Sequence, residues 1–359
     1  MTRVGALGAR SERLAKAMLE RELDCLLVSD LVNVRYLTGF TGTNGACVIA
    51  PGEHVFLTDF RYAEQAEAQI EGFELLPAGR DLLGDLAERL SGRAGFDDAH
   101  MSVRSHAKLI DKVVEGVELV PAGGAVEELR EVKEPAELVA IREAQELATA
   151  ALERTLERGL AGRTERAFAL DLESEMREAG AEDPSFPSIV AAGPHGALPH
   201  AEPRDAEIPA DTLVVIDWGA RVNGYCSDCT RTLATGALDG EATDAYELVR
   251  RAQAEALGAV RAGAEGRAVD AVARDLIAAA GHEEHFGHGL GHGVGLEVHE
   301  EPRLAKSAEG ALRAGNVVSV EPGVYLPGRL GVRIEDLVAV TEHGAEVFTS
   351  YPKTLVTVS

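Results

Sequence analysis

Leu213-Val214-Val215-Ile216-Asp217-Trp218-Gly219, then Asn223-Gly224, then Tyr225-Cys226-Ser227-Asp228-Cys229-Thr230-Arg231-Thr232-Leu233-Ala234: this run decides how the chain folds. Two apolar, β-branched segments flank an Asn-Gly pair, a strong short-range signal for a hairpin. Each arm carries one aspartate among neighbours that read as buried. A second stretch repeats the scheme: Val317-Val318-Ser319-Val320-Glu321-Pro322-Gly323 returns as Val332-Arg333-Ile334-Glu335-Asp336-Leu337-Val338-Ala339-Val340-Thr341. Directly opposed side chains on adjacent antiparallel strands lie within about 5.5 Å, so Asp217 is expected to face Asp228. Glu321 and Glu335 form the equivalent pair. Two ionised carboxylates that close repel unless a cation sits between them.

Helical patterns surround these hairpins, over residues 126–160, 242–262 and 268–280, with Pro135 marking a helix start because a first-turn proline forfeits no hydrogen bond. The order helices, hairpin, helices, hairpin suggests two similar α+β halves. Their identity is too low to be called a repeat. Upstream, helical patterns at 13–21, 62–70, 82–90 and 103–113 alternate with short strands at 25–28, 46–50, 55–58, 73–76, 94–96 and 117–120. Such alternation predicts a layered α/β domain. The boundary is placed near residue 130, giving domains 1–130 and 131–359.

Between the hairpins lies Gly287-His288-Gly289-Leu290-Gly291-His292-Gly293-Val294-Gly295-Leu296-Glu297-Val298-His299-Glu300. Glycines interleaved with imidazoles make poor helix and imply backbone held close around something. Four acids on apolar strands plus an imidazole form an oxygen-rich ligand set. It suits two divalent ions of intermediate hardness, Mn2+ or Co2+, with Zn2+ and Fe2+ as alternatives.

Composition bounds the partners. Asp and Glu number 60 against 35 Lys and Arg, a formal charge of −25, and no run of five basic residues exists. Nucleic acid and anionic membrane are therefore excluded as partners. Residues 1–19 lack the apolar core of a secretory signal, and no apolar run is long enough to span a bilayer, so a cytoplasmic location is expected. Cys25, Cys47, Cys226 and Cys229 are too few for a disulfide scaffold. Cys226 and Cys229 read as one β run whose odd spacing sends the thiols to opposite faces, as two separate buried thiols.

Taken together, Ile216-Asp217-Trp218-Gly219, Ser227-Asp228-Cys229-Thr230-Arg231-Thr232, the histidine-glycine stretch, Ser319-Val320-Glu321-Pro322-Gly323 and Val332-Arg333-Ile334-Glu335-Asp336 resemble the pita-bread metallopeptidases, which include methionine aminopeptidase, aminopeptidase P and prolidase. Asn33-Val34-Arg35-Tyr36-Leu37-Thr38-Gly39-Phe40-Thr41-Gly42, followed by Leu57-Thr58-Asp59-Phe60-Arg61-Tyr62, resembles the N-terminal domain of the proline-specific members and of creatinase. The resemblance covers nearly the whole chain. It implies a metal-dependent enzyme that cleaves between an N-terminal residue and proline in dipeptides or short peptides.

Carried over, the resemblance makes Asp217 a ligand of one metal ion, His292 and Glu321 ligands of the other, and Asp228 and Glu335 bridges. Glu321 would also exchange the proton with water. His200 and His299 would steady the substrate carbonyl and the tetrahedral intermediate, with His288 at the edge of the site. Arg333 would stand beside the carboxylates, and Phe186 with Val298 would cup the proline ring, although an ordinary core role also fits Phe186. His195, His282 and His285 match no role and read as polar surface or loop residues. A homodimer is a family expectation.

Two other readings share the fold: a non-catalytic binding module, and a creatinase-like hydrolase that works without metal. The full ligand set speaks against both. Within the peptidase reading, an N-terminal domain of this size favours a dipeptidase (prolidase) over aminopeptidase P, which trims longer peptides.

Overall fold

The computed structural model describes residues 4–79 and 81–358; the first three residues of the N-terminal stretch read above lie outside it. The chain divides into two units, Met1–Arg130 and Glu131–Ser359. The first unit runs α1 (Val4–Glu20), β1 (Cys25–Val28), α2 (Leu31–Thr38), β2 (Ala46–Ala50), β3 (Glu53–Thr58) and α3 (Ala63–Gln69). It continues through β4 (Glu74–Pro77), α4 (Leu82–Ala87), β5 (Arg93–Phe96), α5 (Val103–Ile110) and β6 (Glu118–Pro121). Its six strands form one sheet in the order β4-β3-β2-β1-β5-β6. Pro51 and Gly52 close the β2–β3 hairpin, with Ala50 opposite Glu53 and Gly52 at φ 79°. No element is expected over 31–38 from the sequence, yet α2 is bounded by ordinary signals. Asp30 caps its start by accepting from the Asn33 N–H, and left-handed Gly39 ends it.

A short helix α6 (Glu127–Glu131) contains the unit boundary, and α7 (Pro135–Leu156) and α8 (Glu165–Glu178) follow. The next strands are β7 (Asp183–Pro184), β8 (Ile189–Ala192), β9 (Leu213–Trp218), β10 (Ala220–Val222), β11 (Tyr225–Cys226) and β12 (Cys229–Ala234). Then come α9 (Gly240–Ala259) and α10 (Gly266–Ala279), with β13 (Gly291–Gly293) and β14 (Glu300–Leu304) behind them. The chain closes with β15 (Val317–Val320), β16 (Gly323–Leu326), β17 (Leu330–Arg333), β18 (Asp336–Thr341) and β19 (Gly344–Val347).

The second unit has two halves of like construction. In the first, α7 and α8 pack on β8, β9 and β12 around Phe168, Leu172, Ile216 and Trp218, whose indole N–H donates to the Ala148 carbonyl at 2.8 Å. In the second, α9 and α10 pack on β15–β18 around Val249, Ile277, Val318 and Val338. Asn223 and Gly224, both at positive φ, turn β10 into β11. Cys226 and Cys229 do not share one strand as expected: the chain breaks at Ser227-Asp228, and the thiols enter different cores. All four cysteines are free and buried.

Buried Arg231 of β12 joins the halves. It donates to Asp336 of β18 at 2.9 Å and to the carbonyls of Glu335 and Tyr351. Asp336 also accepts from Gln253 at 2.9 Å and from Lys353, so its charge is fully partnered.

Candidate metal centre and substrate cleft

Alternation along β9 sends Val214, Ile216 and Trp218 into the core and turns Asp217 to the opposite face. Its direct partner across the ladder is Thr230, not Asp228. Asp228 sits just before β12, two residues from Thr230 and hence on the same side. The expected face-to-face pair is thus a diagonal one, shifted because the strand begins only at Cys229. Glu321 and Glu335 flank the Val320–Asp336 pair at the end of the β15–β18 ladder. Carboxylate oxygens of Asp217, Asp228 and Glu335 all lie within 4.8 Å of one another.

The second cluster forms around His292. Its Nε2 lies 3.1 Å from Glu321 Oε1 and 3.6 Å from Asp228 Oδ2. Its Nδ1 faces the Gly293 carbonyl at 3.1 Å and must donate there, which leaves Nε2 as the atom turned toward the two carboxylates. A cation satisfies all three groups. Glycines let the backbone hold this position: a Cβ at Gly291 would collide with the Ser319 carbonyl, and one at Gly293 with that of Glu301. The Ser319 hydroxyl accepts from the His292 N–H and donates to Glu321 Oε1 at 3.1 Å.

Two orphaned atoms test the fit of a cation. Asp217 Oδ1 and Glu335 Oε1 are buried without a hydrogen-bond partner, although their sister oxygens are satisfied by Arg333 at 2.6 Å and Thr230 at 2.8 Å. Buried carboxylate oxygens stay unpaired at a cost of several kcal/mol unless a metal ion takes them. Burial raises the Asp217 carboxyl, and burial with the Glu335 charge raises Asp228 well above the usual range. Glu335 is raised likewise by burial and by the charges of Glu321 and Asp217. Glu321 differs: burial pushes its carboxyl up, but the His292 hydrogen bond and charge win and hold it at about 2. The residues fit a pair of divalent cations.

Phe186, His200, Asp217, Asp228, His288, His292, Val298, His299, Glu321 and Arg333 line one cleft of about 690 Å3, so ten of the eleven expected residues meet there. Glu335 lies beneath, fully buried. Phe186 is half-buried on the cleft wall, which decides against a core role. His299 stacks edge-on against His292 at 4.2 Å, and lost hydration together with the His292 charge pulls its ring down to about 4. His288 is engaged at both nitrogens, Nδ1 to the Gly289 carbonyl at 2.7 Å and Nε2 to the Tyr325 hydroxyl at 2.9 Å. That hydroxyl accepts from Arg333 at 2.9 Å, so a directed chain runs Arg333, Tyr325, His288. His288 has no free nitrogen to act on substrate.

His195 is not a surface residue. It is buried, and its Nδ1 meets Glu165 at 2.9 Å. His282 and His285 do lie in a short helical turn, facing each other. Tyr325, Thr230 and Arg303 are site residues not expected from the sequence. Tyr325 and Thr230 stand on strands beside the ligands but reach them only through tertiary pairing, and no periodicity marks Arg303 as a cleft residue.

Residues 139–342 match the model of metallopeptidase family M24. The chain belongs to that family. Its N-terminal part, residues 10–132, matches the creatinase/prolidase N-terminal domain. This M24 chain is 33% identical over 353 residues to an Xaa-Pro dipeptidase of Pyrococcus furiosus, covering 96% of this chain and 99% of that one. Among solved structures it superposes on an Xaa-Pro dipeptidase from Bacillus anthracis with a TM-score of 0.94 at 38% identity, covering 98% and 99%. An X-Pro aminopeptidase from Thermotoga maritima superposes with a TM-score of 0.89 at 33% identity, covering 97% and 100%. The fold is therefore a creatinase-type N-terminal domain with the pita-bread catalytic domain of a metallo-exopeptidase.

Proposed function

We propose that this M24 peptidase hydrolyses Xaa-Pro bonds with two divalent ions, and that its substrates are dipeptides. Asp217 would hold one ion, His292 and Glu321 the other, and Asp228 and Glu335 both. Divalent ions held there supply a water made acidic near neutral pH and positive charge beside the scissile carbonyl. Glu321, ionised across the neutral range, accepts the water proton and returns it to the departing proline nitrogen, giving a free secondary amine. His200 and His299 stand at the cleft to bond the carbonyl oxygen as it gains charge. Phe186 and Val298 pack the pyrrolidine ring. An Xaa-Pro amide has no N–H to grip, and this cleft asks for none.

One observation carries the dipeptide reading. Of the two arginines lining the cleft, Arg333 is consumed by Asp217, Tyr325, Thr230 and the Pro199 carbonyl. Among the described residues Arg303 has only an exposed contact with Glu301 at 3.5 Å, which leaves its guanidinium for the carboxylate of a C-terminal proline. The relatives named for dipeptidase and for aminopeptidase activity are similarly close, so aminopeptidase P action is the second reading. We assign Mn2+ as the preferred ion, a homodimeric state and a cytoplasmic location to the same proposal. No helix among the described residues is long and apolar enough to cross a membrane. Chelator-stripped protein should regain hydrolysis with Mn2+ or Co2+ and should turn over Ala-Pro faster than Ala-Pro-Ala-Ala. Full activity in strong chelator refutes the metal mechanism, and equal or better turnover of the tetrapeptide refutes the dipeptidase assignment.

A further inference from the structure

Thr164 caps α8 by accepting from the Ala167 N–H, which places Glu165 in the first turn with its side chain buried. Its carboxylate gathers five donors from a single segment of chain. Oε1 accepts from the Ala192 N–H at 2.9 Å and from Arg204 Nη2 at 3.1 Å. Oε2 accepts from His195 Nδ1 at 2.9 Å, and from the Arg204 N–H and Nε at 3.1 Å each. Burial would raise this carboxyl, but the bonds from Arg204, Ala192 and His195 overcome it, so the group is held below the usual carboxylate range.

Those donors are the two ends of the segment 192–204 and one point within it. Halfway along, the Pro199 carbonyl accepts from Arg333 at 3.1 Å, and Gly196 lies so close to Gly331 that a Cβ there would strike the Gly196 carbonyl. His200 follows Pro199 directly and lines the cleft. An exposed residue at the tip of a loop is ordinarily mobile. Here one buried carboxylate ties the two loop roots together, and Arg333 ties the tip to the metal-ligand strands.

We infer that Glu165 is the positioning residue for His200, with His195 and Arg204 as its clamps, so that His200 meets the scissile carbonyl without a search for its orientation. This rests on the role given to His200 above. Glu165 touches none of the five metal ligands, so its loss is expected to act through the 192–204 loop that carries His200. Replacing groups that orient an active-site side chain ordinarily lowers activity about 10- to 100-fold.

The test is a double-mutant cycle on the metal-loaded full chain, with kcat for Ala-Pro and Mn2+ affinity by calorimetry. Glu165→Gln keeps the shape but loses the charge and two acceptor lone pairs. It should lower kcat about 10- to 100-fold with Mn2+ affinity changed less than about threefold. In a His200→Ala background the same change should cost less than about twofold, because the group being oriented is gone. If Glu165→Gln does not fold, Arg204→Gln, altered at a half-exposed side chain, gives the same cycle with a smaller first step. Equal costs in both backgrounds, or a loss that follows Mn2+ affinity, overturn the inference while leaving His200 in place. Unchanged kcat in His200→Ala removes the role of His200 itself, and the positioning inference with it.

Discussion

Asp228→Asn should separate what this site does for catalysis from what it costs the fold. Without metal, three carboxylates meet within 4.8 Å. At an effective dielectric constant of about 20, each ionised pair at that distance repels by about 3.5 kcal/mol. Asp228 takes part in two of the three pairs. The chain can escape by protonating it, at about 1.36 kcal/mol for each pH unit above a reference value near 3.9, or about 4 kcal/mol at pH 7. That figure is the ceiling on the relief a neutral side chain can bring. The buried amide must lose its own hydration, about 1–3 kcal/mol where unpaired, so the net gain should be about 1–3 kcal/mol. For a unit of this size each kcal/mol moves Tm by about 2–4 °C, so the metal-free variant should melt about 2–12 °C above the metal-free parent at pH 7.

The direction with pH follows from the raised carboxyl. A group whose folded pKa exceeds its unfolded value binds its proton more tightly when folded. Its penalty is therefore absent below about pH 4 and grows as pH rises toward the folded value. The difference in Tm should accordingly vanish near pH 4 and widen toward neutrality. Saturating Mn2+ should reverse the order, since binding to the parent adds about 2.7 kcal/mol at a hundredfold excess over Kd. Scanning calorimetry with and without Mn2+ at several pH values reads all of this. Equal melting of the metal-free proteins at pH 7, or a gap independent of pH, would refute the reasoning.

Other substitutions probe separate features. Arg303→Ala should raise KM for Ala-Pro at least tenfold and leave KM for Ala-Pro-Ala-Ala nearly unchanged, as steady-state kinetics on both substrates will show. Arg231→Met leaves Asp336 with Lys353 and Gln253 but removes its buried cation on Oδ1 and the donor to the Glu335 and Tyr351 carbonyls, and should cost about 3–5 kcal/mol in denaturant unfolding. Gly291→Ala forces the His292 strand away from the Ser319 carbonyl. It should weaken Mn2+ binding at least tenfold by calorimetry while the N-terminal unit melts as before.

Most of the architecture was legible because the chain is locally consistent: Asn223-Gly224 turns, Pro135 starts its helix, and the acids sit in or at the ends of apolar strands. What escaped reading is tertiary. Nothing local in Asp217 and Asp228 reveals that β12 starts at Cys229, so the register that sets Thr230 opposite Asp217 could not be foreseen. His195 read as a loop residue because its partner Glu165 stands thirty positions away on a helix. Tyr325 reads as a strand aromatic until the fold brings His288 and Arg333 to its hydroxyl. The metal ligands were accessible by contrast, because four acids beside apolar strands occur together with a histidine-glycine run, although each acid alone reads as a solvated strand end.

The two arginines that cross between the halves of the second unit run in opposite directions. Arg231 reaches from the first half to Asp336 in the second, and Arg333 reaches from the second half to Asp217 in the first. Between them, Asp217 and Asp228 arrive from one half and Glu321 and Glu335 from the other, like charges brought face to face as the domain closes. The contact between the halves is thus balanced: two guanidiniums hold it together, and the acids between them repel until cations neutralise them. Metal starvation should therefore appear in a cell first as faster degradation of this protein, with the loss of turnover following from fewer molecules as much as from empty ones.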